Sequence, residues 1–91
     1  MSTINIKRQA DKKKLERDGV MDWPIWEKEV STFPWTYDGD EHCYILEGRV
    51  TVTPDNATSV EIKAGDYVIF PKGMSCTWEI HEPIRKHYQF S

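Results

Sequence analysis

At 91 residues, a formal charge of −3 and a pI near 5.5, the chain is sized for one domain and lacks the basic face that nucleic-acid binding needs. Four Trp, four Tyr and three Phe supply the bulk for one modest core, and no run of about 18 apolar residues is present to form a transmembrane helix. Met1 to Lys7 lacks the apolar stretch of a signal peptide, so a cytoplasmic location is expected, with Cys43 and Cys76 as reduced thiols.

Ile4 and Ile6 alternate with polar residues and predict a short edge strand. Asp11 to Arg17 is the one helical segment, capped by Asp11 and ended by Gly19. It carries a single apolar residue and would be marginal alone. Lys12, Lys13, Lys14 and Arg17 are diluted by Asp11, Glu16 and Asp18, which describes a solvated face.

From Met21 onward the pattern is of strands. Pro24, between Trp23 and Ile25-Trp26, implies an edge or a bulge. Phe33, Trp35 and Tyr37 alternate and share one face. Asp38-Gly39-Asp40 is a turn, and Glu41 to Glu47 the next strand, after which Gly48 opens another turn. Val50 and Val52 mark a half-buried strand, and Pro54 to Thr58 a loop. That loop holds the sequon Asn56-Ala57-Thr58, which without secretion is only a polar turn. Val60 and Ile62 alternate in turn with charged residues. A turn at Gly65-Asp66 leads into Tyr67 to Phe70, a run suited to a strand buried on both faces. Pro71 stops it and Gly73 reverses the chain. Cys76 to Ile80 and, after Pro83, Ile84 to Phe90 complete the set. Strands and turns at this density predict an all-β sandwich or barrel, with residues 1–20 as an N-terminal strand and helix and 21–91 as the barrel.

Two motifs, Glu41-x-x-Tyr44-Ile45-Leu46-Glu47-Gly48 and Gly65-Asp66-x-x-x-x-Pro71-x-Gly73, resemble the motif pair of the cupin superfamily. Trp23-Pro24-Ile25-Trp26-Glu27, Phe33-Pro34-Trp35 and Glu82 to Tyr88 narrow the likeness. They resemble the small single-domain cupins grouped with the (S)-ureidoglycine aminohydrolase cupin domain and the ethanolamine-utilisation Q-type cupins. The resemblance implies a double-stranded β-helix, a jelly-roll barrel. Metal-dependent cupins carry two His and a Glu on the first motif and a His on the second. By that resemblance the four positions are Trp35, Tyr37, Glu41 and Cys76, and only Glu41 is retained. An indole has no lone pair for a metal, so a three-His, one-Glu centre is not expected. A remnant site for zinc or iron would draw on Cys76, Glu41, His87 and Cys43.

Alternation puts Glu41, Cys43 and Ile45 on one face and Cys76, Trp78 and Ile80 on another. If both line the interior, Glu41 is the candidate acid or base and Cys76 the candidate nucleophile. Trp35, Tyr37, Cys43 and Trp78 would wall a ligand, with Arg85 or His87 gripping an anionic group; the ordinary explanation of Glu41 is a salt bridge to Arg85 or a hydrogen bond to Tyr37. His42 should point away from that pocket, and His81 and Lys72 into solvent. The bland alternative keeps both thiols and all three rings as core. Three functions follow: a small-molecule enzyme, a non-catalytic module caging a cationic or planar ligand, and a homodimer joined through Trp23, Trp26 and the N-terminal strand.

Overall fold

The computed structural model describes residues 4–55 and 57–90. In chain order the elements are β1 (Asn5–Lys7), α1 (Lys12–Arg17), a 3-10 turn (Val20–Asp22), β2 (Ile25–Lys28), β3 (Ser31–Thr36), β4 (Glu41–Pro54), β5 (Val60–Lys63), β6 (Tyr67–Phe70) and β7 (Ser75–Phe90). Asn56, Met1 to Thr3 and Ser91 lie outside the described residues, and with them the sequon reading and the first part of the leader reading.

Two long strands organise everything. β4 and β7 pair antiparallel from Glu41 opposite Phe90 to Pro54 opposite Cys76. On the free side of β4 lie β6, beside Glu41 to Tyr44, and β5, beside Arg49 to Val52. On the free side of β7 lie β3, beside Ser75 to Ile80, and β2, beside Ile84 to His87. β1 extends the edge against β6. One sheet therefore rolls into two layers, β1-β6-β4-β7-β2 and β5-β4-β7-β3, that share the long strands. This is the expected jelly roll.

The roll corrects two predicted breaks. Gly48 opens no turn and Pro83 starts no new strand; both lie inside continuous strands of 14 and 16 residues. They meet at one crease. The pairing of β4 with β7 slips between Ile45 and Val50, and Gly48 bends there with φ +98°. A Cβ at position 48 would sit 2.3 Å from the Pro83 carbonyl oxygen and 2.8 Å from Ile84 Cα. Only glycine permits both the positive φ and that approach. Pro83 donates no N–H, so a proline at the slipped register costs the ladder little.

Between the layers lies the main core, with Ile45, Val50, Val52, Ile62, Val68, Phe70, Ile80 and Ile84 buried. A second cluster, Leu15, Val20 and Tyr44, sits outside the sheet under α1. Asp11 caps that helix by accepting from the Lys13 N–H at 3.0 Å, and Gly19 leaves it at φ +80°. Trp23 packs in the outer cluster and Trp26 against the main core. Both rings of the expected dimer edge are thus half covered by their own chain. Among the described residues no helix is long and apolar enough to cross a membrane.

Candidate functional site

Four elements converge on one mouth of the barrel. β3 ends at Thr36, and its alternation places Phe33 and Trp35 toward β7, opposite Trp78 and Cys76. Tyr37 follows directly and turns inward to full burial. β4 begins with Glu41 on its inner face. β7 carries Cys76, Trp78, Ile80, Ile84 and Lys86 inward at every second position, the exposed Glu82 at the crease excepted. Tyr88 and Phe90 continue that face outward, and β2 adds Trp26. Together they enclose a cavity of about 200 Å³. Trp35 and Phe90, 46% and 47% exposed, form its rim.

The floor is an ion pair. The Lys86 ammonium donates to Glu41 Oε2, and both residues are buried, at 5% and 4% exposure. Three ring faces surround the same ammonium, Trp78 at 4.7 Å, Trp26 at 4.9 Å and Phe70 at 5.9 Å from nitrogen to centroid. A carboxylate in such a place must be paired or protonated, and here it is paired. The rings are themselves locked. Tyr37 stacks on Phe70 at 4.9 Å with planes 7° apart, and Trp26 meets Trp78 edge to face at 6.0 Å. Trp78 Nε1–H donates to the Tyr37 hydroxyl at 3.1 Å. Burial, reinforced by the nearby Glu41 charge, drives the Tyr37 phenol far above its ordinary range, so it stays protonated.

Both sulfurs stand behind this surface. Cys43 is fully enclosed, and burial pushes its thiol up to about 12. Cys76 points inward and its Sγ–H donates to the Trp35 carbonyl at 3.7 Å. Its pKa is raised too, mainly by burial, against hydrogen bonds from Trp78 and Tyr37 that pull it the other way. Neither is a thiolate at neutral pH, and neither lines the cavity. The expected nucleophile is therefore present as a protonated core thiol.

Arg85 and His87 are placed otherwise than expected. They face outward, because the inward positions of β7 carry even numbers. Arg85 is half exposed and lies 3.5 Å from Glu27. His87 is buried on the outer face, where its Nδ1–H donates to the Trp23 carbonyl at 2.9 Å. The cation beside Glu41 is Lys86, which lies between them in sequence and is not among the expected site residues. Carrying the parity of Cys76 and Trp78 across Pro83 finds it. The same count finds Tyr88 and Phe90, and Phe33 shares the predicted face of Trp35. His42 does face away, with Nδ1 3.1 Å from the Tyr67 hydroxyl. His81 is not simply solvated, since its Nε2 lies 2.8 Å from Thr51 Oγ1. Lys72 is an exposed turn residue whose backbone N–H reaches Asp40 at 2.8 Å.

A metal does not fit this site. Among the described residues no three His, Cys, Asp or Glu side chains come together as a ligand set. The one carboxylate at the cupin position is engaged by an ammonium, and the thiol at another is buried and protonated.

The jelly roll is the fold of a cupin, and the likeness to known proteins narrows that class. The EutQ-like cupin domain matches residues 15–88, and the chain belongs to that family. It is similar to the Acetate kinase EutQ of Escherichia coli K12, with 40% identity over 57 residues, covering 63% of this chain and 22% of that protein. The Salmonella typhimurium LT2 protein of the same name is 34% identical over 70 residues, covering 77% and 28%. The chain thus spans about a quarter of the length of these relatives. A crystal structure of a DUF861 family protein from Thermotoga maritima superposes with a TM-score of 0.93 at 48% identity, covering 98% of this chain and 100% of that one.

Proposed function

We propose that this cupin binds a small, planar, polar metabolite in the barrel mouth. The ligand enters between Trp35 and Phe90, lies against the aromatic walls and sets its polar group on the Glu41–Lys86 pair. The observation that carries this reading is the combination of a 200 Å³ cavity, ring walls and one buried charged pair at its floor. Apolar walls with a few fixed polar groups are the usual composition of a ligand site. Rings favour a flat guest through stacking. The pair as a whole is neutral, with an ammonium to donate and a carboxylate to accept, so it suits a group that both accepts and donates hydrogen bonds. A cage for a cationic ligand is less well supported, because Lys86 already fills the cation's place.

Turnover of the aminohydrolase kind is the finer reading suggested by the family likeness. Glu41 is then the group placed to move a proton, and neither thiol is the nucleophile. A metabolite screen by thermal shift, with hits mapped by NMR on the Trp indole N–H signals, tests the binding. Compounds that shift the Trp78 and Trp26 signals and lose roughly tenfold or more in affinity in Trp35→Ala are expected. Because Trp35 is half exposed, that variant is expected to keep its fold. A broad set without one compound acting at those rings ends the proposal.

A further inference from the structure

We propose that the Lys86 side chain is the resident cation of this barrel, a covalently attached substitute for a metal ion beside Glu41. The site is in effect an aromatic cation box with its occupant built in. Each wall matches an alkylammonium. One carboxylate oxygen takes an N–H, and two indoles and a phenyl present faces at 4.7, 4.9 and 5.9 Å. The whole residue is 5% exposed, so the four-carbon stem is buried along with the ammonium. A buried charge is costly unless it is paired, and this one has a carboxylate partner and three π faces.

The same arrangement accounts for the substitutions at the other cupin positions. With the positive charge supplied by residue 86, His ligands are superfluous, and Trp35, Tyr37 and Cys76 there serve as wall and core. A divalent ion would have to displace the ammonium from Glu41 and would then meet no ligand set among the described residues. The inference concerns the cation alone, so a failed metabolite screen leaves it standing.

Shortening the side chain makes the box available. Lys86→Ala removes three methylenes and the nitrogen, the volume of n-propylammonium. Its melting temperature should fall by at least about 10 °C, because Glu41 is left buried and unpaired. n-Propylammonium at 100 mM should restore about 5 °C, and n-propanol, uncharged and of the same size, almost nothing. Glu41→Gln in the same background should abolish the rescue. In the native protein, zinc, manganese and EDTA should each leave the melting temperature unchanged. Should Lys86→Ala not fold, Lys86→Met serves: it is expected to be destabilised, and adding Glu41→Gln is expected to restore most of the loss. The proposal is overturned if propanol rescues as well as propylammonium. A zinc or manganese stabilisation of the native protein that disappears in Glu41→Gln overturns it equally, as does a Lys86→Met variant that Glu41→Gln makes worse.

Discussion

Cys43 shows how a single group couples to the whole fold. Its thiol titrates near 9 in an unfolded chain and near 12 in the folded one, chiefly because burial disfavours the thiolate. The folded pKa is the higher of the two, so the associated stability is complete below pH 9 and is lost as pH rises toward 12. Over that window the unfolded chain releases its proton first, and folding becomes less favourable. The three-unit gap amounts to roughly 4 kcal/mol by pH 12. Urea titrations at pH 8 and at pH 11 should therefore show a larger alkaline loss in the native chain than in Cys43→Ala. Equal losses would show that the thiol is not the group responsible.

Asp66 makes a second case. It is almost wholly buried, accepts from the Lys63 N–H at 3.0 Å and from Arg8 at 2.5 Å, and so ties the turn before β6 to the N-terminal segment. Asp66→Ala would strand the Lys63 N–H and should cost about 1–3 kcal/mol by denaturant unfolding. Arg8→Ala should cost much less, because that side chain is half in water. The sequence marks Asp66 only as a turn residue. That its carboxylate is inside follows from the roll of the sheet and not from the turn.

Among the elements, the two long strands depend on their crease. Gly48→Ala places a Cβ against the Pro83 carbonyl and forces a residue with a side chain to φ +98°. The two penalties together should cost at least about 3 kcal/mol. Circular dichroism melting of Gly48→Ala against Gly73→Ala separates them. Position 73 has φ +85° but open space for a Cβ, so it reports backbone strain alone. Equal destabilisation at both would remove the contact with Pro83 as a cause. Read along the chain, glycine and proline are punctuation, and so they predict ends. Set opposite each other they act as a hinge inside a continuous ladder, and no local pattern distinguishes the two uses. Alternation, by contrast, survives the crease. Counting by twos from Cys76 reaches Lys86, whereas choosing by side-chain chemistry reaches Arg85 and His87, which face the other way.

For the molecule as a whole, non-local pairing dominates. Glu41 pairs with Phe90 and Val52 with Trp78, so residues far apart in the chain must meet before the central ladder forms. Topologies of this kind fold slowly because loop closure precedes the contacts that offset it. Stopped-flow refolding followed by Trp fluorescence should be a millisecond-to-second process. A microsecond phase carrying the full amplitude would contradict that. The rings and the carboxylate of the pocket are legible in the sequence: Trp35, Tyr37, Trp78 and Glu41 are all brought together. Its cation is not.

By itself the sequence determined the class of fold, most strand positions and the inward faces of Glu41 to Ile45 and Cys76 to Ile80, because alternating burial and turn residues are local properties of a chain. It also carried the family likeness through its two motifs. Only the tertiary structure decided that Gly48 and Pro83 are one crease, that the thiols sit behind the rings, and that Lys86 closes on Glu41. Each of these is a meeting of residues far apart in sequence. Partners across such a distance are chosen by how the sheet rolls, a feature that no short stretch of the chain contains.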